Sequence, residues 1–341
     1  MTVADLSERE LIARIQSKLP PAPPWLLVGV GDDAAVVEPE RNRAEVLSVD
    51  ALVDGVHFDR AIAPPDTIGH RALAVNLSDL AAMGAAPRLA LLSMALPASL
   101  PLADFDGIVD GISALAREHR LHVVGGNLTH TPGPLTIDIT VVGTVKPRQA
   151  LTRSGARPGD EIYVSGSIGA AAAGLRALNA EPRTPNPDAM RHTSAAPRTP
   201  NVERYLRPTP RVRLGLMLSR NRAASACVDL SDGLADGAHR IAEASGVGVS
   251  VDASALPIDP DARSFFESTG DDALIAAVTG GDDYELLFTV RPRARRRLGD
   301  ALRHGGAPLT KVGVCTDGCA VVLTRDGAAS PMPSGFEHFR S

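Results

Sequence analysis

Aromatic side chains are scarce in this chain: Phe, Trp and Tyr make up 3% of its 341 residues. The core must therefore be filled by Ala, Val, Leu and Ile, drawn from a hydrophobic fraction of 44%. Cysteine is scarce too. Cys227, Cys315 and Cys319 form no CxxC pair and are odd in number, which argues against a zinc site and for reduced thiols. Cys315 and Cys319 flank Asp317-Gly318, which reads as a turn between strands. Positive charge is not in excess, since the formal net charge is −5, so no basic face for nucleic acid is expected. No apolar run approaches membrane-spanning length, and Leu89 to Leu96 is closer to a buried strand. The start, MTVADLSERE, is polar and acidic, so no secretory signal is expected and the cytoplasm is the expected compartment. Two nucleotide signatures are missing as well. There is no GxxxxGK[ST], which excludes an ordinary P-loop, and no VAIK, HRD or DFG, which excludes the protein-kinase set.

The length predicts two domains, with the boundary near residue 150: 1–150 and 151–341. Ser7 and Glu10 form a capping-box pattern, followed by Leu11, Ile12, Ile15 and Leu19 at helical spacing. A short apolar strand is expected to end at Ser48-Val49-Asp50. A helix is expected from Asp66 to Gly84, burying Leu73, Leu77, Leu80 and Gly84, with Asn76 and Asp79 on a neighbouring stripe. Arg88 to Leu96 reads as a strand, and Phe105 to Leu115 as an amphipathic helix. His122 to Val124 reads as a short strand opening into Gly125-Gly126-Asn127. Leu135 to Val141 alternates like a half-buried strand. In the second half, strands Glu161 to Ser165, Ala226 to Val228 and Tyr284 to Val290 alternate with helices, which makes the class mixed αβ. Residues 181–210 are proline-rich and read as an exposed insertion without chemistry of its own.

What the chain does have is a set of short acidic motifs locked to glycine or serine. They are Gly31-Asp32-Asp33, Ser48-Val49-Asp50, Asn76-Leu77-Ser78-Asp79, Asp229-Leu230-Ser231-Asp232-Gly233 and Gly280-Gly281-Asp282-Asp283-Tyr284-Glu285. Carboxylates beside flexible backbone suit a hard cation together with a polyphosphate, because the metal cancels charge that would repel the phosphates. Gly29 to Ala34 also fits GxGxxA, with Asp50 about 20 residues on, as in a dinucleotide fingerprint. Two aspartates facing pyrophosphate without a metal would repel it, so the metal reading is the better one, although a plain acidic turn would account for this motif alone. Asp79 lies within an apolar helical pattern, where an uncompensated carboxylate is costly. Asp229 and Asp232 follow a strand and precede Gly233, which suits a ligand site; a pair of helix N-caps is the other reading. His57, taken alone, is as well explained as a satisfied core histidine.

Seven blocks in order resemble the thiamine-monophosphate kinase family, within the superfamily that includes aminoimidazole ribonucleotide synthetase and selenophosphate synthetase. They are GVGDDAAVV (29–37), SVDALVDGVHF (48–58), LAVNLSDLAAMGAAP (73–87), LTRSGARPGD (151–160), VDLSDGLAD (228–236), GGDDYELLF (280–288) and GFEHF (335–339). The resemblance implies two αβ domains of the aminoimidazole ribonucleotide synthetase-like fold, with N-terminal domains pairing strands across a homodimer and a C-terminal α+β domain. It implies transfer of the γ-phosphoryl group of ATP to thiamine monophosphate, with several Mg²⁺ ions. By motif, Asp33, Ser48, Val49, Asp50, Asp79, Asn127, Asp229 and Asp232 are expected at metal sites. Gly126, Asn127, Arg153 and Ser231 are expected on the nucleotide, and His57, Glu285 and Phe336 on thiamine monophosphate. The family often has aspartate at the position of Asn127, which offers Mg²⁺ a carbonyl oxygen but no charge. No covalent intermediate is needed, because the acceptor is already an oxyanion and the task is to align and neutralise two anions. The alternatives are another ATP-dependent synthetase of the superfamily and a nucleotide-binding protein without catalysis.

Overall fold

The computed structural model of the chain describes residues 1–180 and 199–335. They divide into two compact units, one of residues 1–77 and 87–146, the other of residues 78–86, 147–180 and 199–335. Both mix helices with sheet, as the sequence leads one to expect. No described helix is long and apolar enough to cross a membrane.

The first unit is built on a four-stranded sheet whose order is Ala44–Val53, Thr136–Val145, Ala86–Pro97, His122–Thr131. One face is apolar and buried, carrying Leu92, Met94, Ile137, Ile139 and Val141. Helices Pro65–Ala82 and Leu102–Glu118 supply the matching buried surfaces, among them Leu73, Leu77, Phe105, Ile108 and Ile112. The two helices approach through glycine: a Cβ at Gly69 would sit 1.9 Å from the Ile108 carbonyl oxygen, and one at Gly111 would sit 2.0 Å from that of Asp66. The helix Glu8–Lys18 starts as its sequence predicts. Ser7 Oγ accepts from Glu10 N (3.4 Å) while Glu10 accepts from Ser7 N (2.8 Å).

Two strands run further than the sequence suggests. Ala44–Val53 continues past Asp50 because its pairing with Thr136–Val145 is unbroken, from Ala44↔Val145 to Val53↔Thr136. His122–Thr131 passes straight through Gly125-Gly126-Asn127, so the glycine pair does not open a loop. A Cβ at Gly126 would stand 1.8 Å from the Leu92 carbonyl oxygen. Glycine here lets the strand close on its neighbour.

The second unit holds a seven-stranded sheet, ordered Ala328–Pro331, Val321–Arg325, Gly248–Asp252, Leu309–Thr316, Glu161–Ser165, Leu286–Val290, Ala226–Asp229. All its pairs are antiparallel except Val321–Arg325 with Gly248–Asp252. Its core is aliphatic, centred on Ile162, Val164, Val228, Leu230, Ile241, Val249, Val251 and Leu287. Cys315 and Cys319 flank the turn that Asp317-Gly318 predicts, and all three cysteines are free. The proline-rich segment needs one correction. Residues 181–198 lie outside the described residues, but Pro200–Leu206 is a helix, with Val202, Tyr205 and Leu206 buried. Pro200 stands at its first turn, where proline suits a helix, and Thr199 caps it by accepting from Val202 N (3.4 Å).

Candidate active site

In the first unit, the acid positions sit on the sheet and its edges. Ser48 and Asp50 face inward, in register with Val141 and Ile139, while Val49 faces the other way and is 57% exposed. Any contribution of Val49 to a ligand therefore comes from its backbone, since its side chain is apolar and on the opposite face. Asp50 is steadied by Asn76, which is fully buried on helix Pro65–Ala82. The Asn76 side chain accepts from Asp50 N (3.1 Å) and donates to the Ala72 carbonyl (3.0 Å). Asn76 thus aims the strand that carries Asp50. Asp32 and Asp33 lie in an exposed turn opened by Gly31 at φ +111°, with Asp32 Oδ1 accepting from Asp33 N (2.8 Å). Gly126 and Asn127 are exposed on an edge strand. His57 Nδ1 accepts from Val53 N (3.1 Å) across a tight turn, so in the neutral ring the proton resides on Nε2. This fixes the ring.

In the second unit, Asp229 ends the edge strand Ala226–Asp229 and is only 6% exposed. Its carboxylate accepts from Ser78 Oγ (2.8 Å) at the C-terminal turn of helix Pro65–Ala82. Burial pushes the Asp229 carboxyl up to about 7, and the negative charge of Asp79 adds to this. The Ser78 bond and Arg153 oppose the shift, and Asp232 raises it further. Asp232 accepts from Arg240 (3.1 Å), which also pairs with Asp236. The helix Leu234–Ser245 is capped by Gly233 at φ +92° with no side-chain cap, so neither Asp229 nor Asp232 is spent as an N-cap. Arg153 is exposed on the loop that leads into Glu161–Ser165.

The Gly280–Glu285 motif packs along this acidic loop. Asp282 N donates to Ser231 O (2.7 Å), Tyr284 N to Leu230 O (3.1 Å), and Leu230 N to Glu285 O (2.8 Å). Asp282 and Tyr284 both have positive φ, +69° and +50°. Asp283 turns away from the acidic loop. It is buried and accepts from Gly169 N (2.7 Å) and Ala171 N (3.3 Å), at the start of helix Ala170–Ala180. Burial pushes its carboxyl up to about 7, against the pull of these N–H groups and of Arg204. Glu285 is fully buried. Its oxygens accept from Ser165 Oγ (2.5 Å), from Arg211 Nε (2.6 Å), and from the Nη2 groups of Arg204 and Arg211. Phe336, expected on the substrate, lies outside the described residues.

The residue motifs miss Ser78, Ser165, Asp283, Arg204 and Arg211. Ser78 and Asp283 lie within motifs already singled out and were eclipsed by their acidic neighbours. Ser165 ends a predicted strand without any flag. Arg204 and Arg211 fall in or beside a stretch that reads as solvated loop, and nothing in the sequence marks them.

These residues fit a hard divalent cation. A carboxyl driven up to about 7 by burial and by two neighbouring carboxylates is an unbalanced negative site, which bound positive charge relieves. Among the described residues, no three acidic, imidazole or thiol groups converge tightly enough to enclose an ion by themselves. Mg²⁺ is usually held by one or two carboxylates and completes its shell with water and phosphate oxygens.

Known proteins share this fold. Residues 31–145 match AIR synthase related protein, N-terminal domain, and residues 157–326 match AIR synthase related protein, C-terminal domain. Thiamine-monophosphate kinase of Escherichia coli (strain K12) is 37% identical over 334 residues, which cover 97% of this chain and 98% of that protein. The crystal structure of thiamine-monophosphate kinase from Stenotrophomonas maltophilia K279a is 39% identical with a TM-score of 0.79, covering 95% of this chain and 98% of that one. AaThiL, solved as a complex with AMPPCP and TMP, is 31% identical with a TM-score of 0.74 over 99% of both chains. With both halves of the AIR synthase related fold present in order, and with likeness of this extent over nearly the full length, the chain belongs to the thiamine-monophosphate kinase family.

A pH dependence follows from Asp229 and Asp283. Both have folded-state values near 7, above the ordinary aspartate value of 3.8, so the folded protein binds more protons than the unfolded chain between these limits. Their contribution to stability is full below about pH 4 and is lost as pH rises through about 7. In EDTA, the urea midpoint of the wild type should therefore fall between pH 5 and pH 8, and Asp229→Asn should show a shallower fall. Equal slopes for the two proteins would contradict the placement of Asp229.

Proposed function

We propose that this chain transfers the γ-phosphoryl group of ATP directly to the phosphate of thiamine monophosphate, giving thiamine diphosphate and ADP, in a Mg²⁺-dependent reaction. The observation that carries the reading is the buried Asp229 beside Asp79 and Asp232, a concentration of negative charge that is poor structure without a bound cation. Support also comes from relatives over nearly the full length, one of them solved with AMPPCP and TMP.

In this reading, Asp33, Ser48, Asp50 and Asn127, with the backbone of Val49, belong to metal positions in the first unit. Asp79, Asp229 and Asp232 belong to those in the second. Bound Mg²⁺ supplies charge neutralisation of the phosphates and of the transferring group. Gly126, Asn127, Arg153 and Ser231 serve the nucleotide. Gly126 offers backbone free of a side chain, and the exposed Arg153 guanidinium offers charge that the phosphates lack. His57, whose ring is held by Val53 N, serves the substrate. Glu285 and Phe336 serve the organic end of thiamine monophosphate, Glu285 by fixing the wall of its pocket, since its oxygens already hold Ser165, Arg204 and Arg211. The domains are assigned as 1–150, for ATP, metal and dimerisation, and 151–341. The cytoplasm remains the expected compartment.

The assay is direct: purified protein, ATP, Mg²⁺ and thiamine monophosphate, with thiamine diphosphate followed by chromatography. Asp79→Asn and Asp229→Asn should each lower kcat about 100-fold, equivalent to about 2.7 kcal/mol of barrier. Wild-type protein that forms no thiamine diphosphate, or that turns over a different acceptor faster, would refute the proposal.

A homodimer is part of this proposal. The outer face of the four-stranded sheet leaves Leu47 65%, Val49 57% and Leu91 40% exposed, apolar surface that a monomer would keep wet. Pairing of this face with a second copy buries it. Sedimentation velocity should show a dimer for the wild type and a monomer for Leu47→Glu. A monomeric wild type, or a dimer unaffected by the charge, would remove the dimer from the proposal.

A further inference from the structure

Glu285 and its two arginines have no part in the acidic cluster itself, yet they hold the segment against which that cluster is built. Arg211 grips the carboxylate side-on through Nε and Nη2, the two-pronged geometry that fixes both distance and orientation. Arg204 binds the same carboxylate and also donates to the Asp283 carbonyl (3.3 Å), so it reaches both the side chain and the backbone of the motif. Ser165 closes the cage: its Oγ donates to Glu285 and accepts from Leu286 N (2.9 Å). Room for the carboxylate is made at Gly166, where a Cβ would stand 2.0 Å from Glu285 Oε1.

From this anchor the chain runs back through a strained turn. Left-handed backbone at the non-glycine residues Asp282 and Tyr284 is sterically costly and persists only where the surroundings enforce it. The strained turn lies directly on Leu230 and Ser231 through its three backbone hydrogen bonds. The fit is close, because a Cβ at Gly281 would lie 2.5 Å from Ser231 O and one at Gly233 would lie 2.6 Å from Gly280 O. Leu230 and Ser231 are the two residues between Asp229 and Asp232. Any outward relaxation of the turn therefore moves both acids.

We propose that Arg204 and Arg211 are positioning residues for the acidic loop: by clamping Glu285 they hold the turn Asp282–Tyr284 in place and thereby set the spacing of Asp229 and Asp232 for a divalent cation. The inference rests on the reading of those two acids as metal positions. A plug that served packing alone would not need two guanidiniums on one buried carboxylate, since apolar side chains of similar volume do that as well or better.

The test uses the full chain with a non-hydrolysable ATP analogue, and reads Mn²⁺ binding by the loss of the free-ion electron paramagnetic resonance signal. Arg204→Met and Arg211→Met should each weaken Mn²⁺ binding about 10-fold, the scale on which groups behind metal ligands act, and Arg211→Lys should recover part of it. Gly166→Ala keeps both arginines and pushes on the carboxylate, so it should weaken Mn²⁺ in the same direction if the arginine variants do not fold. A Mn²⁺ isotherm that stays at the wild-type position in the folded variants overturns the proposal, as does a rise in the KM for thiamine monophosphate with the isotherm unmoved. Mn²⁺ binding is independent of the phosphoryl acceptor. A wild type that binds Mn²⁺ but makes no thiamine diphosphate therefore counts against the proposed reaction and leaves this inference standing, whereas a wild type that binds no Mn²⁺ overturns the metal reading beneath it.

Discussion

Asp229 puts a carboxyl group where water hardly reaches, with Asp79 and Asp232 adding negative charge around it. The protein offers it the Ser78 hydroxyl and the charges of Arg153 and Arg240, and the carboxyl still stands at about 7. Such a group must either take up a proton or find a cation. The strand Ala226–Asp229 that carries it is paired to Leu286–Val290, and Arg240 pairs with Asp232 and Asp236 close by.

The same problem recurs at Asp283 and Glu285 and is solved in another way. Asp283 meets two helix N–H groups, and Glu285 meets two guanidiniums and a hydroxyl. Within six residues, the motif Gly280–Glu285 thus contains acids that are internally satisfied and backbone bent into left-handed conformations. The satisfied acids hold the bent backbone, and the bent backbone holds the acidic loop. The first unit uses a neutral device for a similar end, the buried amide of Asn76 on the backbone of Asp50.

The acidic motifs and most of the elements that carry them are legible in the sequence, because glycine-locked aspartates and helical periodicity are local signals. Strand Ala44–Val53 was legible only in part. Its inner face carries Ser48 and Asp50 while Leu47 and Val49 face out, so the usual alternation runs backwards. Gly125-Gly126 reads as a loop because the close approach to Leu92 is a tertiary fact. The proline at 200 reads as part of a loop although it opens a helix, and the helix carries Arg204. Partners such as Arg211 for Glu285 are 74 residues apart in sequence, and no pattern within either segment joins them. Local chemistry is written in the motif, and its supports are written elsewhere in the chain.

The central claim is that the excess negative charge around Asp229 is there to be met by a divalent cation. The most direct measurement is the melting temperature with and without Mg²⁺ at two pH values, for the wild type and for Asp229→Asn. The account predicts that Mg²⁺ raises the wild-type melting temperature more at pH 8, where the carboxyl near 7 is ionised, than at pH 5, and that Asp229→Asn loses most of this difference. A Mg²⁺ effect equal at both pH values, or the same in the variant as in the wild type, would contradict it.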